Sequence, residues 1–95
     1  MNWNGKHHLE ECLESLRQQT FQDFEIILVD NGSRDGSVEY IRERYREVKL
    51  VPLSVNKGFA GGNNAGIRIA SGNYIALLNN DTKTDPAWLE NLTKE

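Results

Sequence analysis

The sequence predicts an α/β fold with a mostly parallel sheet and flanking helices, in the manner of a Rossmann-like layer. Two observations carry this prediction. Short runs of apolar, branched residues alternate with stretches of helical periodicity along the 95 residues, and clusters of Asn, Asp, Gly and Ser separate them. Strands that alternate with helices favour parallel pairing through right-handed crossovers.

The first predicted element is a helix in "LEECLESL". Its apolar residues recur at the spacing i, i+3, i+4, i+7, which places them on one helical face with glutamates opposite. The members of that face are Leu9, Cys12, Leu13 and Leu16. A helix packed against a core by this face is expected.

A strand and a second helix should follow. "FEIILVD", residues 24–30, is a continuous apolar run too short for a helix and typical of a strand covered on both faces. After the turn "NGSRDGS", a helix with Val38, Ile41 and Tyr45 inward should begin at a cap formed by Ser33 or Asp35.

The remaining elements are two strands and two helices. Residues 48–53 predict a strand at the sheet edge, because Pro52 has no N–H to donate. A helix over about 59–71 should carry one face composed of Ala60, Asn64, Ile67 and Ala70. "NYIALLN" predicts a third, central strand, and "DPAWLENL" a short helix with Asp85 as N-cap, Pro86 at its first position and Leu89 and Leu92 beneath.

Composition limits the classes of protein. The length allows one domain, residues 1–95, and a net charge of −3 without a basic stripe makes nucleic acid an unexpected partner. The single cysteine, Cys12, reads as a core residue of a reducing compartment. With no apolar run of about 18 residues and no signal peptide, a cytoplasmic location is expected, including the cytoplasmic face of the membrane.

Polar residues cluster where the predicted strands end. In open α/β sheets, ligands bind beyond the carboxyl ends of the strands. Four segments of this chain would meet there, and a solvated rim is the alternative interpretation for each one alone. The residues concerned are Asn2, Asn4, Asp30, Asn31, Asn56, Lys57 and Asn79 to Asp81.

The glycine-rich piece "NKGFAGGNNAG" follows a strand and opens a helix. Its glycines fit neither the dinucleotide-binding G-x-G-x-x-G pattern nor a P-loop. Two interpretations stay open: a tight loop with close helix–strand packing, or a backbone that a ligand approaches, with Asn63 or Asn64 hydrogen-bonding to it.

Asp81 follows the predicted third strand in "LLNNDT" and is either part of a turn or a metal ligand. A hard cation such as Mg²⁺ or Mn²⁺ takes oxygen ligands, usually one or two carboxylates together with phosphates of its substrate. Asp81, with Asn79 two residues earlier, meets that requirement.

Three ordered motifs resemble a known family. "FEIILVDNGSRDGS", "NKGFAGGNNAGI" and "GNYIALLNNDT" are similar in order and spacing to family 2 glycosyltransferases of the GT-A fold, particularly rhamnosyltransferase-like and related enzymes of bacterial cell-surface polysaccharide synthesis. The resemblance covers essentially the whole chain and implies that it is the N-terminal, donor-binding half of such an enzyme. The expected ligand is a UDP-, GDP- or dTDP-linked sugar.

The resemblance also implies roles for individual residues. Asp30 matches the acidic residue that bonds the nucleobase, and Trp3 the aromatic position that packs near it. Asp81 matches the metal-binding aspartate of the D-x-D motif, and Asn79, in place of the first aspartate, would contact ribose or a metal-bound water. The further residues expected to bind the nucleotide sugar are Asn31, Gly58 and Asn64.

Two parts of the family pattern are expected outside these residues. The general base for inverting transfer should lie beyond Glu95, so no catalytic residue is assigned and the fragment alone is expected to be inactive. The first strand is largely missing, since only Met1 precedes Asn2. The neighbouring strands should then either close on each other or leave exposed edges through which two chains form a homodimer.

Two alternatives to the transferase remain. A non-catalytic nucleotide-sugar-binding or interaction module would keep the fold without the base. A phosphohydrolase with Asp81 as nucleophile would need a second aspartate two residues later, where the chain has Lys83.

Overall fold

The structure is a computed structural model that describes residues 1–72, 75–78 and 80–93. Four helices and two strands are formed within these residues, and they alternate over most of the chain as the sequence predicts. In chain order they are α1 (Lys6–Arg17), β1 (Ile27–Asn31), α2 (Ser37–Arg44), β2 (Lys49–Leu53), α3 (Gly58–Ile69) and α4 (Trp88–Thr93).

The two strands pair in parallel, which confirms the predicted α/β class with flanking helices. The register runs from Ile27 opposite Lys49 to Asn31 opposite Leu53, and Pro52 lies opposite Asp30. On the other side of β1, Asn2 forms an isolated parallel bridge with Asp30. Within the described chain β2 pairs with β1 alone, as its proline predicts.

The core lies between α1, α2 and the two strands. Leu9, Cys12, Leu13 and Leu16 are all buried, so the predicted inner face of α1 is confirmed. The residues that complete the buried cluster are Leu28, Ile41, Tyr45 and Val48. Cys12 is 5 % exposed, and burial raises the pKa of its thiol, which suits a core side chain and disfavours a reactive thiolate.

The predicted third strand is wrong for its described residues. Residues 75–78 adopt no strand conformation, and Ile75 and Leu77 are 51 % and 58 % exposed. Among the described residues, the far side of β1 carries only the bridge at Asn2, so residues 75–78 have no extended ladder to join. Leu78 alone of this run packs against the core.

Helix α3 packs by a different face from the predicted one. Ala60, Asn64 and Ile67 are exposed, whereas Gly62 and Gly66 face β1. A Cβ on Gly66 would lie 2.8 Å from Val29 Cγ2, and a Cβ on Gly62 would overlap Met1 Sδ. The close approach of α3 to β1 therefore depends on the absence of a side chain at Gly62 and Gly66.

Asp35 lies at the start of two helices. Its Oδ1 accepts hydrogen bonds from Ser37 N (3.0 Å) and Ser37 Oγ (2.5 Å), and its Oδ2 accepts one from Lys6 N (3.0 Å). Burial acts to raise the pKa of this carboxyl, but the hydrogen bonds from Ser37 and Lys6 outweigh it and lower the pKa. The N-cap of α2 is Gly36, so neither predicted residue occupies that position; Asp35, one residue before it, is the one that bonds the first turn.

Helix α4 begins two residues later than predicted. Pro86 lies in a turn, and Asp85 Oδ1 accepts a hydrogen bond from Ala87 N at 2.9 Å before the helix starts at Trp88. Trp88 packs against the core, while Leu92 is 50 % exposed instead of lying beneath the helix.

No helix in the described ranges is long and apolar enough to cross a membrane. The homodimer expected through exposed strand edges stays a prediction.

Candidate donor-binding site

A cavity of about 480 Å³ opens where the start of α3 meets the segment around Asp81. It combines two aromatic side chains, three apolar ones, two amides, a carboxylate and a hydroxyl. The residues that line it are Met1, Trp3, Phe59, Asn63, Leu77, Leu78, Asn80, Asp81 and Thr82. Its volume falls within the range of about 300–1,000 Å³ common for small-molecule sites.

Hydrogen bonds made by the residues before and after Trp3 hold the tryptophan at this cavity. Asn2 is 1 % exposed and donates from Nδ2 to Asp30 Oδ1 (3.0 Å). Asn4 donates from its backbone N to Ser33 Oγ (2.8 Å), and its Oδ1 accepts from Arg34 N (2.8 Å). The tryptophan between them remains 57 % exposed, so its ring is available to a ligand.

Asp30 lies behind the cavity and is 1 % exposed. One carboxylate oxygen accepts from Asn2 Nδ2 and the other from Ser33 N at 2.9 Å. Because both oxygens are used within the fold, the carboxylate acts here to join the Asn2 segment to the turn after β1.

Asn31 holds the glycine-rich loop in place. It is 2 % exposed; its Oδ1 accepts from Lys57 N (2.7 Å) and its Nδ2 donates to Gly58 O (3.0 Å). Gly58 has φ +78°, a value that favours glycine, and the chain turns there into α3. Phe59 is thereby placed at the cavity mouth, 67 % exposed.

The carboxylate of the site belongs to Asp81, which is exposed at the cavity. The preceding residue, Asn80, is fixed by a hydrogen bond from its Nδ2 to Asn2 Oδ1 (2.5 Å). Among the described residues, no group of three or more His, Cys, Asp or Glu side chains is arranged to hold a metal ion. One accessible carboxylate beside amide oxygens suits Mg²⁺ or Mn²⁺ when the substrate's phosphates supply further ligands.

The structure thus divides the residues that the sequence singled out. Trp3 and Asp81 line one cavity, Asp30, Asn31 and Gly58 support its walls, and Asn64 is exposed outside the lining. Asn79 lies outside the described residues. The assignment of all of them to nucleotide-sugar or metal binding stays a prediction.

One lining residue, Phe59, is an addition to the predicted set, and the cavity distinguishes the two amides that the sequence offered. Phe59 carries a signal in the sequence, since an aromatic residue directly after the turn glycine opens an otherwise small-residue helix. Asn63, and not its neighbour Asn64, reaches the cavity. The choice between adjacent amides depends on the rotation of α3, which its glycine face determines.

Comparison with known proteins identifies the class to which this fold and cavity belong. The family model described as "Glycosyl transferase family 2" matches residues 2–95. The chain therefore belongs to glycosyltransferase family 2, which confirms that part of the resemblance.

Individual relatives agree with this. The chain is 38 % identical over 96 residues to the uncharacterized glycosyltransferase EpsJ of Bacillus subtilis (98 % of this chain, 28 % of EpsJ). It is 37 % identical over 93 residues to the uncharacterized glycosyltransferase YibD of Escherichia coli (95 % of this chain, 27 % of YibD).

Among solved structures, S. aureus TarS (residues 1–349) in complex with UDP superposes with a TM-score of 0.86 at 27 % identity, covering 96 % of this chain and 28 % of that TarS 1–349 chain. The chain therefore spans little more than a quarter of the length of EpsJ, of YibD and of the TarS 1–349 chain.

Proposed function

We propose that this chain forms the donor-binding part of a glycosyltransferase and holds a nucleoside-diphosphate sugar in the cavity between Trp3 and Asp81. The observation that carries the proposal is the meeting of an exposed aromatic ring and an exposed carboxylate in one cavity of about 480 Å³. A nucleotide sugar can use both, because its base can stack on an aromatic face and its diphosphate can bind through a cation. The structural relative TarS was solved with UDP, which supports the same class of ligand.

Asp81 is the proposed ligand of Mg²⁺ or Mn²⁺, with amide oxygens nearby. When bound, such an ion would offset the negative charge on the departing diphosphate. In this arrangement Trp3 and Phe59 orient the base, and Asn63 and Asn80 border the polar part of the donor. Asp30, Asn31 and Gly58 act mainly by holding these walls in place.

In the proposed reaction, an acceptor hydroxyl oxygen bonds to the anomeric carbon while the bond from that carbon to the diphosphate oxygen breaks. The electron pair leaves with the nucleoside diphosphate, and the hydroxyl proton passes to a carboxylate base. We place that base beyond Glu95 and expect inversion at the anomeric carbon. A rhamnosyltransferase-like specificity, a role in polysaccharide synthesis and a cytoplasmic location belong to this proposal.

Calorimetric titration of the chain with UDP and MnCl₂ tests the metal and donor roles together. Asp81→Asn should weaken UDP binding about tenfold, corresponding to about 1.4 kcal/mol, because it removes the carboxylate that holds the ion. Chelation of the metal should weaken wild-type binding to a similar extent. Asp23→Asn, which changes an exposed carboxylate outside the cavity, should bind like wild type. Equal affinity with and without chelator would contradict the metal role.

The second candidate is a non-catalytic binding or interaction module. Among the described residues, no three or more His, Cys, Asp or Glu side chains are grouped to hold a metal ion, and this favours the second candidate. NMR titration with UDP-, GDP- and dTDP-linked sugars separates a donor site from an interaction module that binds no nucleotide sugar. A donor site should show shifts concentrated at Trp3, Phe59 and Asp81, whereas an interaction module would show none there.

A further inference from the structure

A buried polar cluster joins α1 to the chain just after Asp81. It consists of Ser15 on α1, Gln19 two residues beyond the end of α1, and Thr84. Their exposed fractions are only 4 %, 2 % and 7 %. Polar side chains are buried at a cost unless they are hydrogen-bonded, so the bonds made here indicate what the cluster holds.

Ser15 accepts two hydrogen bonds from a single residue of the loop, Thr84. Thr84 donates to Ser15 Oγ both from its backbone N and from its hydroxyl, each at 3.0 Å. Ser15 in turn donates to Cys12 O at 2.7 Å, within α1. Thr84 is thereby tied to a rigid helix by its main chain as well as its side chain.

Gln19 uses the nitrogen of its side-chain amide on the loop and the oxygen on α4. Its Nε2 donates to Thr84 Oγ1 (2.8 Å) and to Asp85 O (2.7 Å), and its Oε1 accepts from Leu89 N (2.9 Å). One side chain therefore joins the loop to the second residue of α4. Thr20 N adds a main-chain bond to Pro86 O at 2.8 Å.

The turn that carries Asp81 is consequently held on both sides. On one side Asn80 donates to Asn2 Oδ1. On the other, Thr84 follows Asp81 after only two intervening residues, and a chain spans at most about 3.3–3.6 Å per residue. Asp81 must therefore stay within roughly 10 Å of a fixed backbone point.

We propose that Ser15 and Gln19 are positioning residues for the donor site: through Thr84 they fix the Asp81 turn against the cavity. This inference rests on the proposed function. Its consequence is that the Asp81 carboxylate already lies in position when the diphosphate of the donor binds. A preorganised ligand loses less conformational entropy on binding, so loosening the cluster should weaken donor binding although no cluster residue lines the cavity.

The matched pair Thr84→Val and Thr84→Ser tests this in the 95-residue chain. Valine keeps the shape but removes the hydroxyl, and serine keeps the hydroxyl. Amide hydrogen exchange of residues 80–85 without metal, and calorimetry with UDP and MnCl₂, are the two measurements. We expect Thr84→Val and Gln19→Leu to speed exchange and weaken UDP binding, each up to about tenfold for the loss of a buried hydrogen bond. Thr84→Ser should keep both the exchange rate and the UDP affinity close to the wild-type values.

Tyr45→Phe is the control for a purely structural effect. It removes another largely buried hydroxyl that bonds α1, through Glu14 Oε2 at 2.9 Å, away from the Asp81 turn. It should lower thermal stability while leaving exchange at residues 80–85 and UDP affinity unchanged. If Thr84→Val and Gln19→Leu behave like Tyr45→Phe, the positioning role is overturned. If Gln19→Leu does not fold, the Thr84 pair decides.

The two proposals fail in different ways. A wild-type chain that binds no UDP in the presence of MnCl₂ overturns the proposed function. The exchange rates of residues 80–85, which require no ligand, then decide by themselves whether the cluster orders the Asp81 turn.

Discussion

Asp30 shows how a single buried carboxylate shapes a surface cavity. It bonds the Asn2 side chain with one oxygen and the Ser33 main chain with the other. These bonds fix the segment that carries Trp3, whose side chain lines the cavity. Because each buried oxygen of Asp30 accepts one hydrogen bond, the loss of either oxygen should lower the stability of the fold.

Asp30→Asn should lower the free energy of unfolding by about 1–3 kcal/mol. The substituted amide has one oxygen, so its NH₂ group must face a donor, either Asn2 Nδ2 or Ser33 N. Urea denaturation followed by circular dichroism measures the change. The exposed Asp23→Asn should stay within about 0.5 kcal/mol of wild type. Similar free energies for the two variants would show that the Asp30 bonds are not important for stability.

At the scale of an element, α3 is a helix whose inner face consists of glycines. Gly62 and Gly66 are one helical turn apart and lie against Met1 and Val29. Glycine lowers helix propensity by about 1 kcal/mol relative to alanine, yet here it allows α3 to lie closer to β1 than any side chain would permit. The rotation of the helix that results directs Asn63 into the cavity and leaves Asn64 outside.

Gly66→Ala should destabilise the protein by about 1–3 kcal/mol, since overpacking of the α3–β1 contact outweighs the gain in helix propensity. Its Cβ would lie 2.8 Å from Val29 Cγ2, too close for an unshifted helix. Thermal and urea unfolding measure the effect. Asn64→Ala, on the exposed side of the same helix, should be neutral or slightly stabilising. A stabilising Gly66→Ala would contradict the close packing inferred here.

At the scale of the whole molecule, carboxylates connect segments that are distant in sequence. Glu25 Oε1 pairs with Lys49 Nζ at 2.7 Å, and its Oε2 accepts from Ser71 Oγ (2.6 Å) and Ser71 N (3.0 Å). The bond from Lys49, and then those from Ser71, lower the pKa of Glu25 to about 2. Glu47 is similar, since its hydrogen bond from Arg17 lowers its pKa.

These pKa values predict a loss of stability in acid. A carboxyl whose pKa is lower in the folded state stabilises the fold fully above its unfolded pKa, 4.5 for Glu25. That contribution should disappear as the pH falls from about 4.5 towards 2, because the unfolded state binds protons first. Since the groups lie at the surface, the effect of each is small and screened by salt. Urea unfolding over this pH range measures it.

A carboxyl NMR titration supplies the control for that prediction. Lys49→Met should raise the pKa of Glu25, whereas Lys6→Met should not, because the Lys6 ammonium group lies over the Tyr40 ring at 5.8 Å instead. Titration of Glu25 near 4.5 in the wild-type chain would contradict the proposed bonds.

The sequence by itself determined the order of most elements, the inner face of α1 and the family. These follow from local periodicity and from motifs in fixed order, such as the leucine spacing around Leu13 and the segment ending at Asp30. The tertiary structure decided what depends on contacts between distant segments: that residues 75–78 join no ladder, that α3 packs by its glycines, and that Asp30 is buried. It also brought Trp3 and Asp81, distant in the chain, to one cavity, a proximity that no local pattern encodes because it results from packing.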